Sequence, residues 1–114
     1  MIPELENYFC GFVPPRPELL KRLEAEAETE RIPIVGPVVG ELLFILARAM
    51  GARRILELGT ATGYSAIYLG QAVAPEPGGV LTLENDPAMA LRARDNIAAA
   101  GLTALVKVQV GEAQ

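Results

Sequence analysis

The sequence predicts an α/β fold, an open parallel sheet with helices on both faces and about three strands within this chain. Three observations lead there. Short apolar runs alternate with stretches of helical periodicity, the pattern of strand–helix–strand units joined by right-handed crossovers. Two glycines, Gly59 and Gly63, sit where the first apolar run gives way to a helix. An acidic residue, Glu84, ends the second run.

Residues 1–16 are proline-rich and irregular, and Pro14-Pro15-Arg16-Pro17 punctuates them sharply. Pro17 to Arg31 forms helix, with proline tolerated in the first turn. Leu19, Leu20, Leu23 and Ala27 share one face, so this amphipathic helix packs on the domain or on a second subunit. A break runs from Ile32 to Pro37. Val38, Val39, Leu42, Leu43, Leu46 and Ala49-Met50 then recur at helical spacing, until Gly51 stops the helix. Arg54–Leu58 reads as a buried parallel strand, Gly63–Ala72 as a helix, and Val80–Glu84 as the second strand. Asp86-Pro87 begins another helix, with an Asp cap and proline at the first helical position. That helix runs to Ala100 and ends at Gly101, and Leu105–Val110 alternates as the third strand. The expected spatial order is 3-2-1.

The chain has 114 residues, which suits one domain. It is 51% apolar but only 5% aromatic, so aliphatic side chains build the core and little surface remains for stacking on bases. Ten basic against fourteen acidic residues give a net charge of −4, which argues against a nucleic-acid partner. The single Cys10 excludes an internal disulfide, and the absence of histidine excludes a Ser-His or Cys-His dyad within these residues. The acidic, prolyl start lacks the pattern of a signal peptide, and no apolar run is long enough to span a bilayer. The expected compartment is the cytoplasm.

The informative stretch is Glu57-Leu58-Gly59-Thr60-Ala61-Thr62-Gly63-Tyr64-Ser65, across a strand end and a helix start. Glycines there let a ligand approach the main chain, and the helix start offers free amides to an anion. A dinucleotide fingerprint would carry a third glycine where Ala61 stands. Glu57 would repel a pyrophosphate but attract an α-ammonium group. S-adenosylmethionine carries that ammonium, a carboxylate for the helix start, and no phosphate. Glu84, 21 residues after Gly63, can accept hydrogen bonds from both ribose hydroxyls. Asp86 is taken up by capping.

The run ILELGTATGYSA, then VLTLENDP, then the helix closing in NIAAAGL, then GEAQ, resembles the small catechol- and caffeoyl-CoA-type O-methyltransferases from about Ile34 onward. The resemblance implies a Rossmann-like class I methyltransferase fold. It implies that Glu57, Gly59 and Ser65 line the methionine part of the cofactor, with Ser65 near its carboxylate and Tyr64 packed beside it. Thr60 and Gly63 belong to the same cofactor loop. Val35 touches the methionine end through its backbone, Glu84 holds the ribose, and Asn85 flanks the adenine. The main chain at Ala113 and the amide of Gln114 reach the adenine edge, although the family often has serine where Ala113 stands.

In the resembled family the metal-binding carboxylates and the catalytic lysine follow the next strand. Residues 34–114 are therefore expected to be the N-terminal half of a cofactor-binding domain, preceded by a segment over 1–33. No catalytic or metal residue is expected here, and this chain alone is expected to be inactive. The intact enzyme is expected to use a divalent ion (Mg or Ca) to activate and orient a small-molecule hydroxyl, phenolic or catechol-like. Two other readings compete: a non-catalytic S-adenosylmethionine-binding or oligomerisation module, and a nicotinamide-dependent Rossmann reductase. Without a further strand, Ile55–Leu58 is an unprotected sheet edge, which leads to the expectation of a homodimer or larger assembly.

Overall fold

A computed structural model describes residues 14–73 and 78–111. Its elements, in chain order, are α1 (Glu18–Glu30), α2 (Gly36–Ala49), β1 (Arg54–Leu58), α3 (Tyr64–Ala72), β2 (Gly79–Glu84), α4 (Pro87–Ala99) and β3 (Val106–Val110). β1 pairs with β2 and β2 with β3, both in parallel, which is the expected spatial order. The register aligns Ile55, Val80 and Val106 across the sheet. Strand limits match the sequence reading to within one residue. α2 begins earlier than expected, at Gly36, because Pro37 sits in its first turn, where a missing N–H costs nothing.

The core lies on one face of the sheet. Val80 and Val106 are buried there with Leu20 and Leu23 of α1, Tyr64, Ile67 and Tyr68 of α3, and Ile97 of α4; Ile55, Leu43 and Phe44 pack against them. Close approach depends on small residues. A Cβ at Gly70 would lie 2.5 Å from Val106, and one at Gly40 would strike the Tyr68 ring at 2.5 Å, so α3 seats tightly on the sheet and α2 on α3. The opposite face carries Leu56 and Leu58, exposed by 63% and 61%.

The expectation of helices on both faces is thereby corrected for the described residues. Right-handed crossovers that step in one direction, β1 to β2 to β3, must all pass on the same side of a parallel sheet. The expectation about α1 also narrows. Its apolar stripe of Leu20, Leu23 and Ala27 is buried in this same fold, so it offers no apolar face to a second subunit. None of the described helices is long and apolar enough to cross a membrane.

Candidate cofactor site

At the carboxyl end of β1 the chain turns sharply into α3. Gly59 has φ of 89°, a conformation that costs an L side chain dearly, and a Cβ there would project into open space. The amides of Gly59 and Thr60 both donate to the Leu83 carbonyl, at 2.9 and 3.2 Å, which ties the loop to the end of β2. The Gly63 amide donates to the Thr60 carbonyl at 3.0 Å and closes the turn. Gly63 itself has φ of 92°, and its bare Cα lets α3 lie against Ala93 of α4. Asn96 of α4 donates to the Thr62 carbonyl at 2.9 Å and accepts from Arg22 of α1 at 3.0 Å, so three elements brace the loop.

Ala61, where a dinucleotide loop would carry glycine, still adopts a left-handed conformation, φ 48°. Glu84 holds it there: Oε1 accepts from the Ala61 amide at 2.9 Å, while Oε2 accepts from the Asp86 amide at 3.1 Å. Glu84 therefore stands at the end of β2, directly beneath the loop, with lone pairs left over on both oxygens. Asp86 caps α4 by accepting from the Ala88 amide at 3.0 Å, as expected.

Glu57 projects from β1 beneath α3. Ser65 donates to its Oε2, and Thr82 donates to Oε1 at 2.7 Å. Burial pushes its carboxyl above the ordinary glutamate range, and the two hydrogen bonds offset part of that rise. No cation pairs with it among the described residues.

A cavity of about 270 Å³ opens over this constellation, lined by Pro33, Ile34, Val35, Gly59, Thr60, Ala61, Tyr64 and Ser65. Five of the residues expected from the sequence, Val35, Gly59, Thr60, Tyr64 and Ser65, thus meet at one concavity. Glu57 adjoins it through Ser65, and Glu84 through Ala61. Two of the five carry a second duty. The Thr60 hydroxyl is spent on Thr82 at 2.7 Å. Tyr64 is almost wholly buried, packs edge-to-face on Tyr68 at 5.4 Å, and donates its hydroxyl to Glu24 at 2.6 Å. Burial, then that hydrogen bond, drives the Tyr64 phenol far above its usual range. Asn85 is exposed immediately after β2; Ala113 and Gln114 lie outside the described residues.

Sequence reasoning missed Thr82 and Glu24. A polar residue inside the apolar strand VLTLE was the available signal for Thr82. Glu24 gave none, because its partners Arg16 and Tyr64 are brought to it only by the fold. Among the described residues no group of three or more His, Cys, Asp or Glu side chains is placed to hold a metal ion.

With this geometry in place, comparison with known proteins becomes specific. The O-methyltransferase family pattern matches residues 15–114, a stretch that takes in α1 as well as the sheet. A catechol O-methyltransferase of Niastella koreensis is 46% identical over 79 residues, 69% of this chain and 35% of that protein. One of Mycobacterium tuberculosis is 45% identical over 87 residues, 76% of this chain and 39% of that protein. Among solved structures, the O-methyltransferase TomG of Streptomyces achromogenes, in complex with SAM, superposes with a TM-score of 0.84. It is 35% identical, over 96% of this chain and 49% of that one. The O-methyltransferase of Bacillus cereus, in complex with SAH, also gives 0.84, at 34% identity over 95% of this chain and 50% of that one. This chain spans little more than a third of the curated relatives and about half of the solved ones. With the family pattern running across α1, the sheet and the loop, the chain belongs to the O-methyltransferase family.

Proposed function

We propose that the chain is the cofactor-binding part of an S-adenosylmethionine-dependent O-methyltransferase, with residues 34–114 forming the first half of its Rossmann-like domain. The observation that carries this reading is Glu57. A half-buried carboxylate bound by two hydroxyls and lacking a cation among the described residues is costly in an unliganded fold. An α-ammonium group arriving in the cavity would neutralise it. The residues present fit the rest of the cofactor. Gly59 leaves open space where a side chain would stand. No side chain caps α3, so its first amides remain for a carboxylate. Glu84 has unused acceptor capacity for ribose hydroxyls, and Asn85 stands exposed beside it. Val35, Thr60, Tyr64 and Ser65 wall the methionine end, and Ala113 and Gln114 are assigned to the adenine edge.

The bound cofactor supplies an electrophilic methyl group; this chain's residues hold and orient it. The relatives support a small-molecule hydroxyl as acceptor, catechol-like or otherwise phenolic. The divalent ion implied for the intact enzyme would need ligands beyond the described residues. The acidic charge balance and single cysteine suit a cytoplasmic protein. Among the described residues β1 has no strand on its outer side, an edge on which a second copy of the chain could pair.

A thermal-shift series tests the reading. S-adenosylhomocysteine at a hundredfold excess over its dissociation constant should stabilise the chain by about 2.7 kcal/mol, and NADH should not. Stabilisation by NADH alone would favour a nicotinamide-binding fold instead.

A further inference from the structure

The hydroxyls around Glu57 form an ordered chain. Thr82 Oγ1 lies 2.7 Å from Glu57 Oε1, to which it donates, and 2.7 Å from Thr60 Oγ1. A hydroxyl has one proton to give. That of Thr82 is committed to Glu57, so Thr60 is the donor in the Thr60–Thr82 bond. From the other side Ser65 donates to Oε2. With Glu57 ionised both carboxylate oxygens accept, and each of these hydrogen bonds favours the charged form.

Thr60 and Thr82 are 1% and 0% exposed. At such depth valine would fill the same space without a polar atom to satisfy, so the two hydroxyls cost the core something. Their one outlet is Glu57. Among the described residues no other ionisable side chain hydrogen-bonds to either threonine. On α3, Tyr64 is engaged with Glu24, and the Tyr68 hydroxyl has no partner among the described residues. On β2, Glu84 is engaged with the amides of Ala61 and Asp86.

We propose that Thr82, backed by Thr60, is a positioning residue of the cofactor site, holding Glu57 ionised and aimed to capture the α-ammonium group of S-adenosylmethionine. The proposal rests on the reading that Glu57 receives that ammonium. Removing the Thr82 hydroxyl withdraws a hydrogen bond from the charged form, so the Glu57 titration moves to higher pH. At fixed pH less carboxylate is then present, and the acid limb of cofactor binding shifts upward with it.

The test compares Thr82→Val, which is nearly isosteric, with Thr82→Ser, which keeps the hydroxyl. Carbon-13 NMR of the Glu57 side-chain carboxyl reads the titration without any ligand. Calorimetry with S-adenosylhomocysteine, and with 5′-methylthioadenosine, which lacks the amino-acid group, reads binding. The valine variant should titrate at higher pH and bind S-adenosylhomocysteine about tenfold more weakly at neutral pH, as one lost hydrogen bond to a charge implies. Its affinity for methylthioadenosine should be unchanged, and serine should restore both properties. Should the valine variant not fold, Thr60→Val, one bond further out, should move the same titration upward by less. An unmoved Glu57 titration overturns the proposal alone. A wild-type chain that binds the two nucleosides equally overturns the reading of Glu57 and the proposal with it.

Discussion

Burial raises the Glu57 carboxyl above the ordinary glutamate range, with hydrogen bonds from Ser65 and Thr82 offsetting part of the rise. A group whose pKa is higher folded than unfolded binds more protons in the folded state. Its contribution to stability is full below the unfolded value and is lost as pH rises through the folded one. Glu57→Gln should therefore leave the unliganded chain's stability little changed in acid and raise it near neutrality. Urea unfolding across a pH series checks this; a variant less stable than wild type at neutral pH contradicts it. The same substitution should weaken S-adenosylhomocysteine binding and spare adenosine, the trade of stability for function expected at a ligand site. Glu84→Ala should cost adenosine binding about 1.5–3 kcal/mol for each ribose hydrogen bond lost, measured by calorimetry. An unchanged dissociation constant would refute the ribose assignment. At this scale the grouping of the strand-end motif was legible, because Glu57, Gly59 and Ser65 lie within nine residues of one another around a single turn. Thr82 was not, since a lone threonine in a strand shows its purpose only when the neighbouring strand is laid beside it.

Among elements, α1 is held to the rest of the fold in two ways. Leu20 and Leu23 are buried in the core. On the surface, Arg92 of α4 reaches Glu30 at 2.6 Å and Glu26 at 3.5 Å. The magnitudes decide between them. Burying a leucine outweighs an exposed ion pair, which contributes little net stability. Leu23→Ala should destabilise the chain by about 2–5 kcal/mol, whereas Glu30→Ala should be barely detectable by denaturant unfolding. Comparable losses from both would show that charge, not burial, seats the helix. Local chemistry predicted these elements well: Asp86 caps α4, and Gly101 follows its end with φ of 73°. The layer arrangement was misread despite a correct strand order. Alternating strands and helices do not reveal which face a helix covers; only the order combined with crossover handedness does, and a one-directional order 3-2-1 demands a single face.

At the scale of the whole molecule, β1 lies at an edge of the described sheet, with Leu56 and Leu58 exposed beside its unpaired backbone. Unprotected edges of this kind attract partners. The 114-residue chain is expected to associate at micromolar concentration through β1, now without help from α1. Analytical ultracentrifugation should show a species of at least twice the 12.1 kDa chain mass, and an added lysine at Leu56 should disperse it. A folded monomer at that concentration contradicts the expectation. We infer that the loop from Gly59 to Ser65, with Glu57 before it and Glu84 beneath it, is a cofactor site. Titrating S-adenosylhomocysteine into nitrogen-15-labelled chain, and following the backbone amides by NMR, tests it most directly. Saturable shifts are expected at Val35, the amides from Glu57 to Ser65, Glu84-Asn85 and the amides of Ala113 and Gln114. No shifts, or shifts centred on the separate cleft of about 370 Å³ between α4 and β3, lined by Arg94, Ile97 and Lys107 among others, would contradict it.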